Sequence, residues 1–388
     1  MASQAFYPQD FLQESDDPPT GARATVTIAV EHTPTVGDPL SGWGPLLAAA
    51  ARAPSGHNTQ PWRFVVGPRH LDLWRDRTRS LPQADPRDRE LTMACGAALL
   101  NLQLAARHGG IGVHTLLWPD PTEPDWVARI GVNTCPIGRA DEVSQKLHEA
   151  IELRQTARSP LVASHPLPER LYGTLKAAAC QFGADLVFIN GAAARRFLAD
   201  QQGRALRCQW RDRAFRAELA HWIRPRSAGD GLSGAALLGC GDGLGDSLSG
   251  ALAALTRWRD LGGGQIRRDR AALLRAPAVA LLVTDGDDAD HWLRAGLALE
   301  RVLLSATAEG VSAQFWNAAV QEPTTRLALG ALAVDPAGQP RIPQLLLGLG
   351  YPTRATARSP RRPITAIAHA FEASDRAIAA PRPHRPHP

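Results

Sequence analysis

The sequence predicts an α+β fold in which one structural unit occurs twice. Placing Gly96 on Gly296, an offset of 200 residues, aligns small and apolar residues along two predicted helices. Two apolar helices can also align by chance, so the elements that follow them matter as well. In both copies a strand comes next, and a later strand contains glycine, in RIGV at 129–132 and in LLLGLG at 345–350. The other aligned pairs are Ala98 with Ala298, Leu99 with Leu299, Leu104 with Leu304, Ala106 with Ala306 and Gly110 with Gly310.

The first half, residues 41–138, is predicted to combine two helices with four strands. Before it, residues 1–40 are rich in Pro, Asp and Thr, and we expect them to form an irregular N-terminal arm. The first helix, 46–53, stops before Pro54, and the second, 91–108, stops at a pair of glycines. Apolar alternation predicts strands at 62–66, 70–74, 111–118 and 127–132.

The second half, residues 139–370, has the same mixture of elements with one long interruption. Residues 224–250 are rich in Gly and Ser and too long for an ordinary connection. We expect a lid with glycine hinges there, or else a disordered surface loop. A basic tail follows at 371–388. Helices are predicted at 141–153, 168–182, 192–222, 290–309 and 322–330, and strands at 185–189, 278–284, 311–316 and 343–349.

The composition argues against nucleic-acid and membrane partners. Of the 388 residues, 44% are hydrophobic and 21% are charged, and the net charge is only +5. Arginines are scattered among acids and form no basic stripe outside the tail. We find no apolar run of about 18 residues and no signal-peptide pattern. The five cysteines have neither paired nor zinc-ligand spacing, which favours a reducing compartment. We therefore expect a cytoplasmic protein that acts on a small molecule and holds no metal.

Residues 55–62, Ser-Gly-His-Asn-Thr-Gln-Pro-Trp, form the first candidate site. They lie between an alanine-rich helix and a strand, and Pro61 biases Gln60 away from the α region. In an extended segment, Ser55, Asn58 and Gln60 would turn a hydroxyl and two carboxamides toward one flat, polar-edged ligand. A polar turn that satisfies only its own backbone is an equally good interpretation of these residue types alone.

The flanks of this stretch favour the ligand interpretation. Residues 46–66, LLAAAARAPSGHNTQPWRFVV, resemble the signature of the nitroreductase superfamily of FMN-dependent oxidoreductases. The resemblance implies that the Ser, Asn and Gln positions contact a flavin across a subunit interface. His57 could also be a general acid, although its position varies in the family. The cofactor-binding residues predicted here are Ser55, Gly56, His57, Asn58 and Gln60.

The second candidate site is the sequence Arg-Gln-Thr-Ala-Arg at 154–158. Arg154 and Arg158 are four residues apart and share a helix face. Two guanidiniums and a hydroxyl suit a phosphate, because arginine can bind phosphate oxygens bidentately. A solvated basic helix end, favoured by the helix dipole, is the alternative interpretation.

This element also resembles the nitroreductase superfamily, in its Arg-x-Ser/Thr-x-Arg/Lys motif. The resemblance implies that Arg154 and Thr156 hold the FMN phosphate, with Gln155 between them. It also implies that Arg158 lies near the N1/O2 edge of the flavin, where charge accumulates on reduction.

Two further segments add predicted site residues. The strand and basic residues at 345–363 look like the C-terminal part of the family, so Arg361 or Arg362 would add to the phosphate site. Backbone N–H groups of the strand that contains Gln314 and Trp316 could face flavin N5.

The two motifs are divided between the halves. The first half has no Arg-x-Thr-x-Arg element, and the second reads AACQFGADLVFIN at 178–190, where the Asn and Gln should fall. We therefore expect an intramolecular pseudo-dimer with one FMN where the halves meet. This arrangement resembles the Acg-type branch of the superfamily, over about residues 41–365. The chain would act as its own dimer, and further homodimerisation stays open.

The resemblance implies an FMN oxidoreductase that passes hydride or electrons to flat acceptors such as nitroaromatics or quinones. The flavin would carry the chemistry, and NAD(P)H is a candidate donor although no motif for it is visible. One alternative is a non-catalytic protein that stores or sequesters FMN under a closed lid. Another is a biosynthetic flavin-dependent dehydrogenase. A third is an enzyme that consumes the flavin itself.

Overall fold

The computed structural model describes residues 42–133, 138, 140–234, 246–334 and 338–371. The predicted arm at 1–40, the tail beyond Phe371 and residues 235–245 of the predicted lid lie outside these ranges. The helices are α1 (Gly44–Ala51), α2 (Arg89–His108), α3 (Glu142–Leu153), α4 (Glu169–Cys180), α5 (Ala192–Arg211), α6 (Arg213–Trp222), α7 (Ser249–Trp258), α8 (Gly262–Arg275), α9 (Ala289–Ala308), α10 (Ala318–Gln321), α11 (Pro323–Leu329) and α12 (Ile364–Ile367). The strands are β1 (Trp62–Val66), β2 (His70–Arg75), β3 (Val113–Leu117), β4 (Trp126–Val132), β5 (Ala184–Phe188), β6 (Ala278–Thr284), β7 (Ser312–Phe315), β8 (Ile342–Gly350) and β9 (Ala368–Ala370).

Each half of the chain builds its own sheet. The first has five strands in the order β3-β4-β2-β1-β9, and the second has four in the order β5-β6-β8-β7. Neighbouring strands are antiparallel except β9, which lies parallel to β1 with Phe64 opposite Ala368. The last strand in the described ranges therefore adds to the sheet of the first half.

Helices α2 and α9 pack against each other at the centre of the molecule and share one apolar core with both sheets. They cross at Gly96 and Gly296, the two residues that the repeat places on each other. A Cβ atom at Gly296 would overlap the carbonyl oxygen of Met93, so the backbones approach too closely for a larger residue. The predicted α+β fold of two tandem halves, packed as an intramolecular pseudo-dimer, is confirmed.

The structure differs from the prediction most strongly between residues 192 and 275. The helix expected at 192–222 is two helices, because the side chain of Asp212 accepts a hydrogen bond from the Ala214 N–H and caps α6. Helices α7 and α8 were not predicted. Three glycines open α8, and local preference argues against a helix there. Packing overrides that preference, because Gly262 lies against the ring of Trp210 and Leu273 is fully buried.

The C-terminal segment contains two elements that were not predicted. It leaves the second sheet after β8, crosses to the first half, and forms α12 and β9 there. The domain boundary predicted at residue 370 stays a prediction. In the part of the chain that the structure describes, no helix combines the length and apolar character needed to cross a bilayer.

Candidate functional site

A cavity of about 960 Å³ lies where the two halves meet. Its volume is at the upper end of the usual range for small-molecule sites, roughly 300–1,000 Å³. Both predicted motifs contribute to its wall. The predicted site residues that line it are Ser55, Gly56, His57, Thr156, Arg158, Gln314 and Trp316. The predicted residues that do not line it are Asn58, Gln60, Arg154, Gln155, Arg361 and Arg362.

The first motif is a tight turn, and the prediction of an extended segment is wrong. Ser55 is extended, but His57, Asn58 and Gln60 have φ values of 48°, 56° and 51°. Local hydrogen bonds stabilise this conformation, since the Gln60 N–H donates to Ser55 Oγ at 2.9 Å and the Asn58 N–H to the Ser55 carbonyl at 3.1 Å. The turn brings Ser55, Gly56 and His57 to the cavity wall and directs the two amides elsewhere.

Those two carboxamides bind the C-terminal segment of the chain. Asn58 donates to the Pro360 carbonyl at 3.1 Å and accepts from Arg361 Nη1 at 3.1 Å. Gln60 accepts from the Arg362 N–H at 2.8 Å and donates to the Gly229 carbonyl at 2.9 Å. In this arrangement the amides join the first motif to the second half, and their contact with a flavin stays a prediction.

Arg154 and Arg361 meet at the C-terminal end of α1. Arg154 Nη2 donates to the Arg52 carbonyl at 2.7 Å, and Arg361 Nη2 donates to the same oxygen at 2.9 Å. Arg154 also pairs with the buried carboxylate of Glu300 at 3.4 Å. Burial, reinforced by the nearby charges of Arg154 and Arg52, lowers the pKa of Arg361 to about 9. Arg154 and Arg361, each predicted to contribute to the phosphate site, therefore converge, beside the cavity rather than on its wall. The helix face predicted for Arg154 and Arg158 is wrong, because α3 ends at Leu153 and Arg154 is extended, with φ −61° and ψ 125°.

Arg158 presents its charge to the cavity. Its backbone lies next to β7, because the Ala157 N–H donates to the Ala313 carbonyl at 2.8 Å. In the described part of the chain, its guanidinium forms no ion pair with a carboxylate. Arg158 is exposed and lines the cavity. A cation without a carboxylate partner in this position favours an anionic or electron-rich ligand.

Two more polar groups on the wall have unused hydrogen-bonding capacity. Nε2 of His57 and Oε1 of Gln314 are buried and have no partner within the described ranges. Burial and the charge of Arg158 lower the pKa of His57 to about 4, so the imidazole is neutral at pH 7. It has no imidazolium proton to donate at that pH, which argues against the general-acid role considered for His57. The backbone N–H of Trp316 donates to the Leu346 carbonyl at 2.9 Å, and contact of N–H groups in this strand with flavin N5 stays a prediction.

Helices α5, α6 and α8 form one wall of the cavity, its roof, which sequence analysis did not assign to the site. Leu232, from the predicted lid, also lines the cavity, and the role of that segment as a lid stays a prediction. On α8, burial raises the pKa of Asp269 to about 6, and its carboxylate accepts from Gln202 Nε2 at 3.0 Å. The lining residues on these three helices are Gln202, Leu206, Gln209, Phe215, Leu219, Gln265, Arg268, Asp269, Ala271, Ala272 and Arg275.

Glu90, in the first turn of α2, is another residue that sequence analysis missed. It lines the cavity and accepts hydrogen bonds from Gln321 Nε2 at 3.0 and 3.1 Å. Burial raises the pKa of its carboxyl to about 7. A usable signal was present in the sequence, because Arg89 and Glu90 are charged residues at the start of a helix whose next charged residue is Arg107.

The chain is similar to several proteins that bear nitroreductase names. The Mycobacterium tuberculosis protein with the provisional name NAD(P)H nitroreductase acg is 28% identical over 330 residues, covering 82% of this chain and 93% of that protein. A second protein of that species, also provisionally named an NAD(P)H nitroreductase, is 29% identical over 308 residues, 79% of this chain and 84% of its own length. The solved FMN-dependent nitroreductase NfnB from Mycobacterium smegmatis, in complex with NADPH, is 19% identical, with 60% of this chain and 100% of that chain covered and a TM-score of 0.35.

No family model matches the chain. The two M. tuberculosis relatives nevertheless align with most of this chain and with most of their own length. Over about four fifths of its length, the chain is therefore similar to M. tuberculosis proteins that are provisionally named NAD(P)H nitroreductases.

Proposed function

We propose that this protein is an FMN-dependent oxidoreductase that binds one flavin in the cavity between its halves. The observation that carries the proposal is the composition of the wall, where Ser55, Gly56 and His57 meet Thr156 and Arg158. Each half supplies one of the two motifs, so a complete site forms only where the halves join.

The polar groups of the wall fit the ring system of a flavin. Arg158 offers a cation without a carboxylate partner, and His57 and Gln314 each offer an unused polar atom. A flavin ring carries N–H and C=O groups that can pair with such atoms. A bound flavin supplies hydride or electron transfer, and the protein supplies orientation and charge. Arg158 would stabilise negative charge that develops at the ring edge on reduction.

The arginines at the end of α1 fit a phosphate. Arg154 and Arg361 now donate to a neutral carbonyl oxygen, that of Arg52. A phosphate would offer these guanidiniums a charged acceptor in place of a neutral one, and arginine can bind phosphate oxygens bidentately. This supports the predicted division of FMN between ring and phosphate sites.

The names of the relatives support the substrates that we propose. Both M. tuberculosis proteins are named as NAD(P)H nitroreductases, which is consistent with NAD(P)H as donor and a nitroaromatic as acceptor. Quinones are flat acceptors of similar size, and the cavity has room for a second molecule beside a cofactor.

Anaerobic mixing tests this function. The purified protein is reconstituted with FMN, its flavin content per chain is measured, and NADPH and then NADH are added while flavin absorbance is followed. We expect one flavin per chain and rapid bleaching that a nitroaromatic or a quinone reverses. Two flavins per chain would contradict a single shared site, and a chain that binds no flavin would contradict the function.

A storage protein is the second candidate, and the roof of the cavity favours it. Helices α5, α6 and α8 supply a large share of the cavity wall, and their side chains would lie beside a bound flavin. Colour that persists with both nicotinamide cofactors and bleaches only with dithionite would support storage, or a dehydrogenase that takes electrons from its own substrate. Of these two alternatives, storage would be favoured if the protein released its bound FMN and never reduced and reoxidised it.

A further inference from the structure

Glu90 ends a chain of hydrogen bonds that runs from the roof to the floor of the cavity. Gln209 of α5 donates to Gln321 at 2.8 Å, and Gln321 donates to both carboxylate oxygens of Glu90 at 3.0 and 3.1 Å. Arg89 donates to Oε1 of Glu90 at 3.1 Å. A Cβ atom built on Gly56 would lie 3.6 Å from Oε2, so this oxygen borders the first motif.

The charges around Glu90 come from three segments of the chain. Arg89 precedes it on α2, Asp85 lies in the loop before that helix, and Arg326 approaches from α11. The arginines favour the carboxylate and Asp85 disfavours it, but burial of a side chain that is only 8% exposed has the largest effect. The pKa is consequently raised to about 7, so the group can hold or release a proton near neutral pH.

We infer that Glu90 is the proton donor of the cavity and protonates the oxygen of a quinone or nitro acceptor as that acceptor is reduced. The inference rests on the proposed function. For a quinone, the O–H bond of Glu90 breaks, its electron pair stays on the carboxylate, and a new O–H bond forms on the substrate. The two electrons and the other hydrogen come from reduced flavin, and water returns the proton to Glu90.

The other titratable groups on the wall fit this role less well. His57 is neutral with its pKa near 4, and it would be a much weaker proton donor at pH 7. Asp269, with a pKa near 6, is mostly ionised at pH 7 and lies on the roof, where Gln202 binds it. Glu90 lies instead beside Gly56, in the motif that is predicted to contact the flavin.

Two acceptors separate proton delivery from electron delivery. A quinone takes up protons on reduction, whereas ferricyanide takes one electron and no proton. With reduced flavin bound, Glu90→Gln should lower the ratio of the quinone rate to the ferricyanide rate by about 100-fold, the lower end for general-acid catalysis. In the native protein the quinone rate should fall as pH rises through about 7, and in Glu90→Gln that dependence should vanish. Glu90→Asp should restore part of the ratio.

Infrared spectroscopy tests Glu90 without any turnover. The C=O stretch of a protonated carboxyl is followed from pH 5 to 9 in the flavin-free protein. In the native protein, we expect a C=O band that disappears as pH rises through about 7. This band should be absent in Glu90→Gln. It should remain in Asp269→Asn, the control that removes the carboxyl on the roof of the cavity. An equal fall of both acceptor rates, or an unchanged titration in Glu90→Gln, would overturn the inference. A chain that binds no flavin would instead overturn the proposed function, and the infrared result would still decide whether Glu90 carries this proton.

Discussion

A Cβ atom built on Gly96 would lie 3.1 Å from the Cα atom of Gly296. The same atom would overlap the carbonyl oxygen of Leu293, so no side chain fits between the two helices at this point. The two halves of the chain therefore contact each other through backbone at their central crossing. The same two helices supply part of the cavity wall, since Met93 of α2 and Leu299 of α9 line the cavity. The position of the cavity therefore depends on the crossing.

Replacing Gly296 should destabilise the whole molecule. Gly296→Ala places a methyl group against the Met93 carbonyl, and overpacking of this kind typically costs about 1–3 kcal/mol. Gly173→Ala is the matched control, because Gly173 lies within α4 and a Cβ there meets nothing within 4 Å. The control should be neutral or stabilising, since alanine favours a helix interior by about 0.5–1 kcal/mol over glycine. Urea unfolding measures both; equal effects at the two positions would rule out the close crossing.

Arg158 should contribute more to FMN affinity than an arginine that lies away from the cavity. Arg158→Ala removes a guanidinium from the cavity wall, and charged hydrogen bonds are worth about 1.5–3 kcal/mol, so we expect the FMN Kd to rise by roughly 10- to 150-fold. Quenching of flavin fluorescence measures the Kd. Arg170→Ala, which breaks an exposed pair with Glu309, is the control and should leave the Kd unchanged. If Arg158→Ala binds FMN as the native protein does, the assignment of this residue fails.

Asn58 and Arg361 should be energetically coupled although they are far apart in sequence. Arg361 Nη1 donates to Asn58 Oδ1 at 3.1 Å across the halves. A double-mutant cycle with Asn58→Ala and Arg361→Ala should give an interaction energy of about 0.5–3 kcal/mol in the free energy of unfolding. The pair Asn58→Ala and Arg170→Ala serves as the reference cycle and should be additive. Additivity in both cycles would show that the contact does not stabilise the chain. Asn58→Ala should also raise the FMN Kd if the site lies between the halves.

Asp269 should make stability depend on pH between about 4 and 6. Burial raises its pKa in the folded protein to about 6, so the folded state binds more protons than the unfolded state in this window. The stabilisation that the protonated Asp269 side chain contributes is fully present below about pH 4. It is lost as the pH rises through 6. From pH 4 to 7, the free energy of unfolding of the native protein should therefore fall relative to that of Asp269→Asn. The expected change is on the order of 2 kcal/mol. Urea unfolding at several pH values tests this, and a constant difference would contradict it.

Apolar periodicity in the sequence predicted the two central helices and the strands. The two motifs could also be predicted, because each is a continuous stretch of sequence. The sequence could not predict where the amides of Asn58 and Gln60 point. Their direction depends on Arg361 and Arg362, about 300 residues away, which bind the turn from outside. Helix α8 was missed for a similar reason, since its glycine-rich start forms a helix only against Trp210.

The pairing of β9 with β1 sets the order in which the protein can be completed during synthesis. Ala368 pairs with Phe64, so β1 lacks its partner strand until about 300 further residues have been synthesised. At 5–20 residues per second, this takes roughly 15–60 s. An open strand edge can pair with another chain in that time. A chain truncated before Arg361 would lack both this arginine and β9. The edge of the first sheet would then stay exposed, and the predicted phosphate site would be incomplete.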